Sequence, residues 1–236
     1  MTSRSPVRQR NDPAQYDDLV DQWWQPRGKF AALHWLARSR AALIPPPRRA
    51  GAVLLDLACG GGLTAPYIPT GYSHVGLDLT ETALREAKNR GVVPIRADVT
   101  RLPLRAAIAD VVIAGEIFEH VEDLPRLLAE IARVLKPGGK LVCDTISSGP
   151  AAYIAMVLVG ERIKGGPPPR IHDRRLFVSA SRLKTLCDHV GIDLVTTGLR
   201  PSARDYVRWL AGSLDQVRMK PTSSTAVVYQ GVGVKR

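Results

Sequence analysis

The chain has 236 residues, 45% of them hydrophobic, which is enough for one well-filled core and predicts one domain. Its 33 Lys and Arg against 22 Asp and Glu leave a net charge of +11, yet the basic residues are scattered and lack interleaved aromatic platforms, so no nucleic-acid partner is expected. No apolar run reaches the ~18 residues of a membrane span and the opening dozen residues hold no apolar signal core, which predicts a cytoplasmic protein. Cys59, Cys143 and Cys187 have no paired spacing and are expected as buried thiols, outside any disulfide framework.

Residues 1–13 are rich in Arg, Ser, Pro and Gln and are expected to be a disordered tail ahead of a catalytic domain over 14–236. Tyr16, Leu19, Val20, Trp23 and Trp24 have helical spacing, as do Phe30, Leu33, His34, Leu36 and Ala37 before Pro45-Pro-Pro47, so two helices are expected within 14–48. Apolar runs then predict strands near 53–57, 73–77, 93–96, 110–114 and 139–145, alternating with helices near 62–68, 80–90 and 123–135, with Thr80 as an N-cap. That alternation implies an α/β fold, a doubly wound and mostly parallel sheet. An insert over 147–178 follows, and a helix near 179–190 and strands near 192–199 and 226–234 complete the domain.

The most informative stretch is Val53-Leu-Leu-Asp-Leu-Ala-Cys-Gly-Gly-Gly-Leu63, a buried strand running into three glycines. A turn without Cβ atoms lets backbone approach a nucleotide closely, although a tight strand-to-helix turn alone would read the same way. Asp78 ends the next strand about twenty residues on, where a carboxylate can accept both hydroxyls of a ribose. The turn lacks the G-x-G-x-x-G spacing of a pyrophosphate site and suits a ligand with a sulfonium and an amino acid tail.

With Asp56 on the strand, Gly60 to Gly62, Asp78, Asp98 after the third strand, Asp110 opening the fourth and Leu135-Lys-Pro-Gly-Gly before the fifth, the chain resembles the class I S-adenosylmethionine-dependent methyltransferases. The resemblance implies a single-domain Rossmann-like fold and a cofactor held by Gly60 and Gly62 at the methionine tail, Asp78 with Leu79 at the ribose, and Asp98 with Val99 at the adenine edge. Gly115 would leave room beside the ligand, and Asp56 would hold the turn or the amino group through water.

More narrowly, Tyr16-Asp-Asp-Leu-Val-Asp-Gln-Trp-Trp24, Gly28 to His34, Arg40, Gly115-Glu-Ile-Phe-Glu-His120 and His172-Asp173 resemble the ubiquinone-biosynthesis O-methyltransferase family. The family implies a catechol or other dihydroxyphenol as acceptor, the polyprenylated quinone precursor (3-demethylubiquinol-like) among them. Its arginine at the cofactor carboxylate matches Arg40, for which a solvated helix charge is the other reading. Its divalent metal, Mg²⁺ or another, falls on Glu116, Glu119 and His120, which would share a face if the segment were helical. In metal-free relatives the same histidine is a base or a strut. His172 and Asp173 would orient the acceptor or supply a base, or would cap a helix. The apolar residues 151–159 and the basic residues after them read as a lid over the pocket or as a peripheral membrane contact. Residues 165–171 differ from the family segment before His172, and Arg200 to Lys220 has no counterpart in it, which keeps open a natural-product methyltransferase with a different O, N or C acceptor, or a cofactor-binding protein without catalysis.

Overall fold

The computed structural model describes residues 9–236. Most of the expected tail lies outside them, but from Gln9 onward the chain packs against the body of the protein, with Asn11 N donating to Arg170 O at 3.2 Å. The strands are β1 (Ala52–Leu57), β2 (Tyr72–Asp78), β3 (Val93–Arg96), β4 (Ala109–Gly115), β5 (Leu135–Ile146), β6 (Ile192–Pro201), β7 (Met219–Thr222) and β8 (Val228–Lys235). They form one sheet ordered β3-β2-β1-β4-β5-β8-β6-β7, parallel through β5, with β8 antiparallel to both β5 and β6. This is the doubly wound α/β architecture expected from the alternating runs, and it forms a single domain.

Strand periodicity divides the core between the two faces of the sheet. Leu54, Val111, Ile113 and Val142 pack with Ala41 and Ile44 at the end of α2 (Ala31–Ala41). Their neighbours Leu55, Leu57, Val112, Ala114, Leu141 and Cys143 face the opposite way, onto α4 (Leu124–Val134) and α6 (Ala180–His189). Each fully buried Leu or Ile contributes about 1.5–3 kcal/mol, so this two-sided core fixes the strand register. All three cysteines are free and buried, Cys143 and Cys187 in this core and Cys59 in a smaller cluster with Leu84, Ala87 and Val92.

Several elements differ from expectation. The helix expected near 62–68 is a single 3-10 turn, Ala65–Tyr67, because Ile68 precedes Pro69 and is held extended at ψ 128. The first N-terminal helix is split into α1 (Ala14–Asp17) and a 3-10 turn (Val20–Gln22), the break falling at Leu19. Thr80 does occupy the N-cap position of α3 (Glu81–Lys88), but its side chain makes no capping bond. The helical run of the insert begins as α5 (Pro150–Ala152), continues as a π-helix (Tyr153–Val159) and ends in a 3-10 turn (Gly160–Arg162). Residues 200–222 form α7 (Ala203–Leu210), N-capped by Ser202, and β7, and they bury Trp209 completely. Among the described residues, no helix is long and apolar enough to cross a membrane.

Parallel strands with a reversal of order open a crevice at their carboxyl ends, here where β1 is flanked by β2 and β4. The functional residues gather there.

Candidate active site

A cavity of about 440 Å³ lies above that crevice, closed on top by α2, the N-terminal segment and the insert. This volume is in the range of small-molecule sites. Gly60, Asp78, Leu79, Asp98 and Val99 line it, all at strand ends, and so do Arg40, Asp56 and Gly115. Asp78 is the hub of the floor: its Oδ2 accepts from Gly60 N at 2.9 Å and its Oδ1 from Thr80 N at 2.8 Å. Burial nonetheless raises its carboxyl above the ordinary range, so further hydroxyl donors would be favourable partners. Asp98 sits exposed at the rim with Oδ1 accepting from Thr100 N and Oγ1, which hold its carboxyl low. Asp56 is buried against His74 Nε2 at 3.3 Å.

The glycine turn has a use that sequence alone did not reveal. Gly60 stands at φ +50, and a Cβ there would meet the Trp23 ring at 2.4 Å; one on Gly61 would meet it at 2.7 Å. Trp23 stacks on Phe30, so the N-terminal aromatics roof the turn. Gly62 does not line the cavity and packs against Ala87 of α3 instead.

Arg40 enters from α2 and is 7% exposed. Its Nη1 donates to both oxygens of Asp144 at 2.6 Å and its Nη2 to Thr64 Oγ1 at 3.3 Å, while Nε has no protein partner. The reading of Arg40 as a solvated helix charge is thereby corrected: burial requires a paired charge, and Asp144 supplies it. A Cβ on Gly115 would lie 2.2 Å from Arg40 Cζ, so Gly115 makes room for this guanidinium as well as lining the cavity.

After β4 the chain does not become the helix that would align Glu116, Glu119 and His120. Glu116 takes a left-handed conformation at φ +51 and Phe118–His120 forms one 3-10 turn. Glu119, His120 and His172 converge instead, each offering a donor atom within 4.8 Å of the others, and Glu116 lies outside that cluster. Glu119 is fully buried; its Oε2 accepts from Thr145 Oγ1 at 2.7 Å, and its carboxyl also shares a hydrogen bond with that of Glu116. Burial pushes its carboxyl up to about 7 and that of Glu116 well above the usual range, with mutual repulsion and Asp144 adding to the latter. His120 and His172 stack at 5.3 Å; burial lowers His120 to about 4 and His172 well below its ordinary value, which disfavours the charged form of each. His120 Nδ1 lies 2.5 Å from Asn11 Oδ1, and His172 Nδ1 is buried without a partner. Asp173 is not at the cavity: it caps the turn Arg174–Leu176 and binds the Arg175 guanidinium.

The donor-rich cluster fits a cation. Arg40 faces the carboxyls of Glu116 and Asp144 but is not a partner of Glu119, and His172 Nδ1 in the cluster is buried and unpartnered. Asp144, Thr145 and Asn11 were not singled out from sequence; an acid inside the apolar run of β5 was the one available signal, and Asn11 had none.

Comparison with known proteins accords with this geometry. The family model described as "Methyltransferase domain" matches residues 55–143. A ubiquinone biosynthesis O-methyltransferase from Idiomarina loihiensis is 30% identical over 213 residues, covering 84% of this chain and 88% of the relative. Another, from Marinobacter nauticus, is 29% identical over 196 residues, covering 78% and 82%. In fold the chain is similar to an S-adenosylmethionine-dependent methyltransferase from Thermotoga maritima, with TM-score 0.66, 19% identity and coverage of 94% and 97%.

Proposed function

The chain belongs to the ubiquinone biosynthesis O-methyltransferase family, S-adenosylmethionine-dependent enzymes with a Rossmann-like fold, and from that premise we propose that its acceptor is a catechol or related dihydroxyphenol. A polyprenylated quinone precursor is the natural form of such an acceptor. The observation that carries the reading is the convergence of Glu119, His120 and His172 beside the cavity.

Bound S-adenosylmethionine supplies a methyl group activated on a sulfonium, whose departing thioether is neutral. The protein therefore has two tasks, alignment and removal of the acceptor proton. Asp78 and Gly60 anchor the cofactor end of the cavity, with Arg40 held in place by Asp144. A phenol has a pKa of about 10, so it needs help to ionise at neutral pH. His120, which faces the cavity, is the side chain placed to take that proton as general base when no cation is bound; with a cation present, the same lone pair is a ligand instead. A divalent cation held by Glu119, His120 and His172 would stabilise the phenolate directly. Two imidazoles and one carboxylate suit Zn²⁺ or Mn²⁺ better than Mg²⁺, which favours oxygen donors.

Labelled methyl transfer to a panel of plain and prenylated catechols, with added Zn²⁺, Mn²⁺ or Mg²⁺ or with a chelator, tests this. Chelator-sensitive transfer supports the cation, and chelator-insensitive transfer that His120→Gln abolishes leaves the histidine as base. Cofactor binding without transfer to any catechol moves the acceptor to another oxygen, nitrogen or carbon. The insert adds a peripheral membrane contact to the proposal, because Ile154, Leu158, Val159 and Ile163 are each 42–52% exposed beside Arg162 and Lys164. Failure of the protein to float with anionic liposomes, or flotation unchanged by Ile154→Asp with Leu158→Asp, would remove that part.

A further inference from the structure

An asparagine carboxamide is a two-ended reporter of its neighbours: its NH₂ can only donate and its oxygen can only accept. Asn11 puts both ends on one residue. Its Nδ2 donates to the backbone oxygen of His120 at 3.0 Å, and its Oδ1 lies 2.5 Å from His120 Nδ1. Because a carbonyl cannot donate, the NH₂ must face His120 O. The amide orientation is thus decided by chemistry, which leaves only an acceptor opposite the ring nitrogen. A neutral imidazole has one N–H, and next to an acceptor it must be on Nδ1.

We propose that Asn11 is a positioning residue that locks His120 in the Nδ1–H tautomer and leaves Nε2 as the nitrogen with a free lone pair. The inference rests on the reading of His120 as a working group of the site, whether as base or as ligand, since either role needs that lone pair. Asn11 is itself braced from behind. Its backbone N–H donates to Arg170 O at 3.2 Å, Gln15 Nε2 donates to the same oxygen at 3.1 Å, and Arg10 Nη1 joins Glu161 Oε1 at 2.8 Å and His172 O at 2.9 Å. Tyr16 meets the edge of the imidazole with ring centroids 6.3 Å apart. The N-terminal segment thus straps the insert to the turn after β4, and Asn11 is where the strap touches the site.

Asn11 stands at φ +62, so Asn11→Gly removes the carboxamide with no backbone penalty, and Asn11→Asp keeps an acceptor opposite Nδ1. The full-length protein, labelled with ring-¹⁵N histidine and free of cofactor and metal, is examined by two-bond ¹H–¹⁵N NMR, with His120 assigned by its loss in His120→Gln. The lock predicts the Nδ1–H pattern for His120 in the wild type and in Asn11→Asp, and mixed tautomers in Asn11→Gly. Turnover in Asn11→Gly should fall about tenfold, the loss expected for one hydrogen bond, with KM for S-adenosylmethionine unchanged, and Asn11→Asp should recover most of it. An Nε2–H pattern in the wild type, or an Nδ1–H pattern that survives in Asn11→Gly, overturns the proposal whatever the activity. Tautomers that shift as expected while turnover holds leave the lock standing and overturn instead the role given to His120.

Discussion

Asp144→Asn isolates what holds the cofactor end of the site together. Asp144 is fully buried, pairs with Arg40 at 2.6 Å, and also accepts from Glu116 N at 3.1 Å. Replacing one member of a buried pair leaves the other charge uncompensated, at a cost of about 3–5 kcal/mol. Glu116 lies close enough to ionise and offset part of that charge, which favours the lower end. A domain of this size loses about 2–4 °C of Tm per kcal/mol, so a loss of about 3 kcal/mol lowers Tm by about 6–12 °C. Urea melts of both proteins at neutral pH would show the shift as a lower midpoint at constant m. Calorimetric titration with S-adenosylmethionine should show weakened binding as well, because the freed Arg40 no longer keeps its place over Gly115. A loss under about 1 kcal/mol, the value of an exposed pair, would refute the reasoning, since it would mean that water reaches Arg40.

Gly60→Ala combines a positive φ with a Cβ 2.4 Å from Trp23, so overpacking of about 1–3 kcal/mol and weaker cofactor binding are expected in melts and titrations; an unchanged protein would show that Trp23 moves freely. Glu119, raised by burial from 4.5 to about 7, binds its proton more tightly folded than unfolded, so its contribution is present at acid pH and lost as pH rises between those values. His120, lowered by burial from 6.5 to about 4, acts in the opposite sense and loses its contribution as pH falls through that window. The two overlap, so the comparison to make is metal-free wild type against Glu119→Gln: the stability of the wild type relative to the variant should decline as pH rises from about 5 to about 7. Burial pushes Cys187 up to about 12 and raises Cys59 and Cys143 well above the ordinary thiol value, so no thiol should react with a disulfide reagent in the folded protein, and all three should react in denaturant.

Local periodicity carried the fold. The apolar runs of β1 through β5, and the helices α3, α4 and α6 between and after them, were readable because burying one face of a strand or helix imposes a two- or four-residue rhythm on neighbouring positions. Asp78 and Asp98 were readable for a related reason: an acid that ends an apolar run stands at a strand tip, and the tips of parallel strands face one crevice. What failed locally failed at backbone exceptions, Ile68 ahead of a proline and Glu116 in a left-handed turn, where the side-chain rhythm does not report the main-chain path. The pairings that make the site were beyond any window of sequence. Arg40 meets Asp144 across 104 positions, Asn11 meets His120 across 109, and His172 arrives on the insert to complete the cluster with Glu119. Sequence determined the sheet and the residues that point from its end, because those follow from neighbours; tertiary structure alone decided which buried charge finds which partner, because that depends on contacts the chain makes only after it has closed on itself.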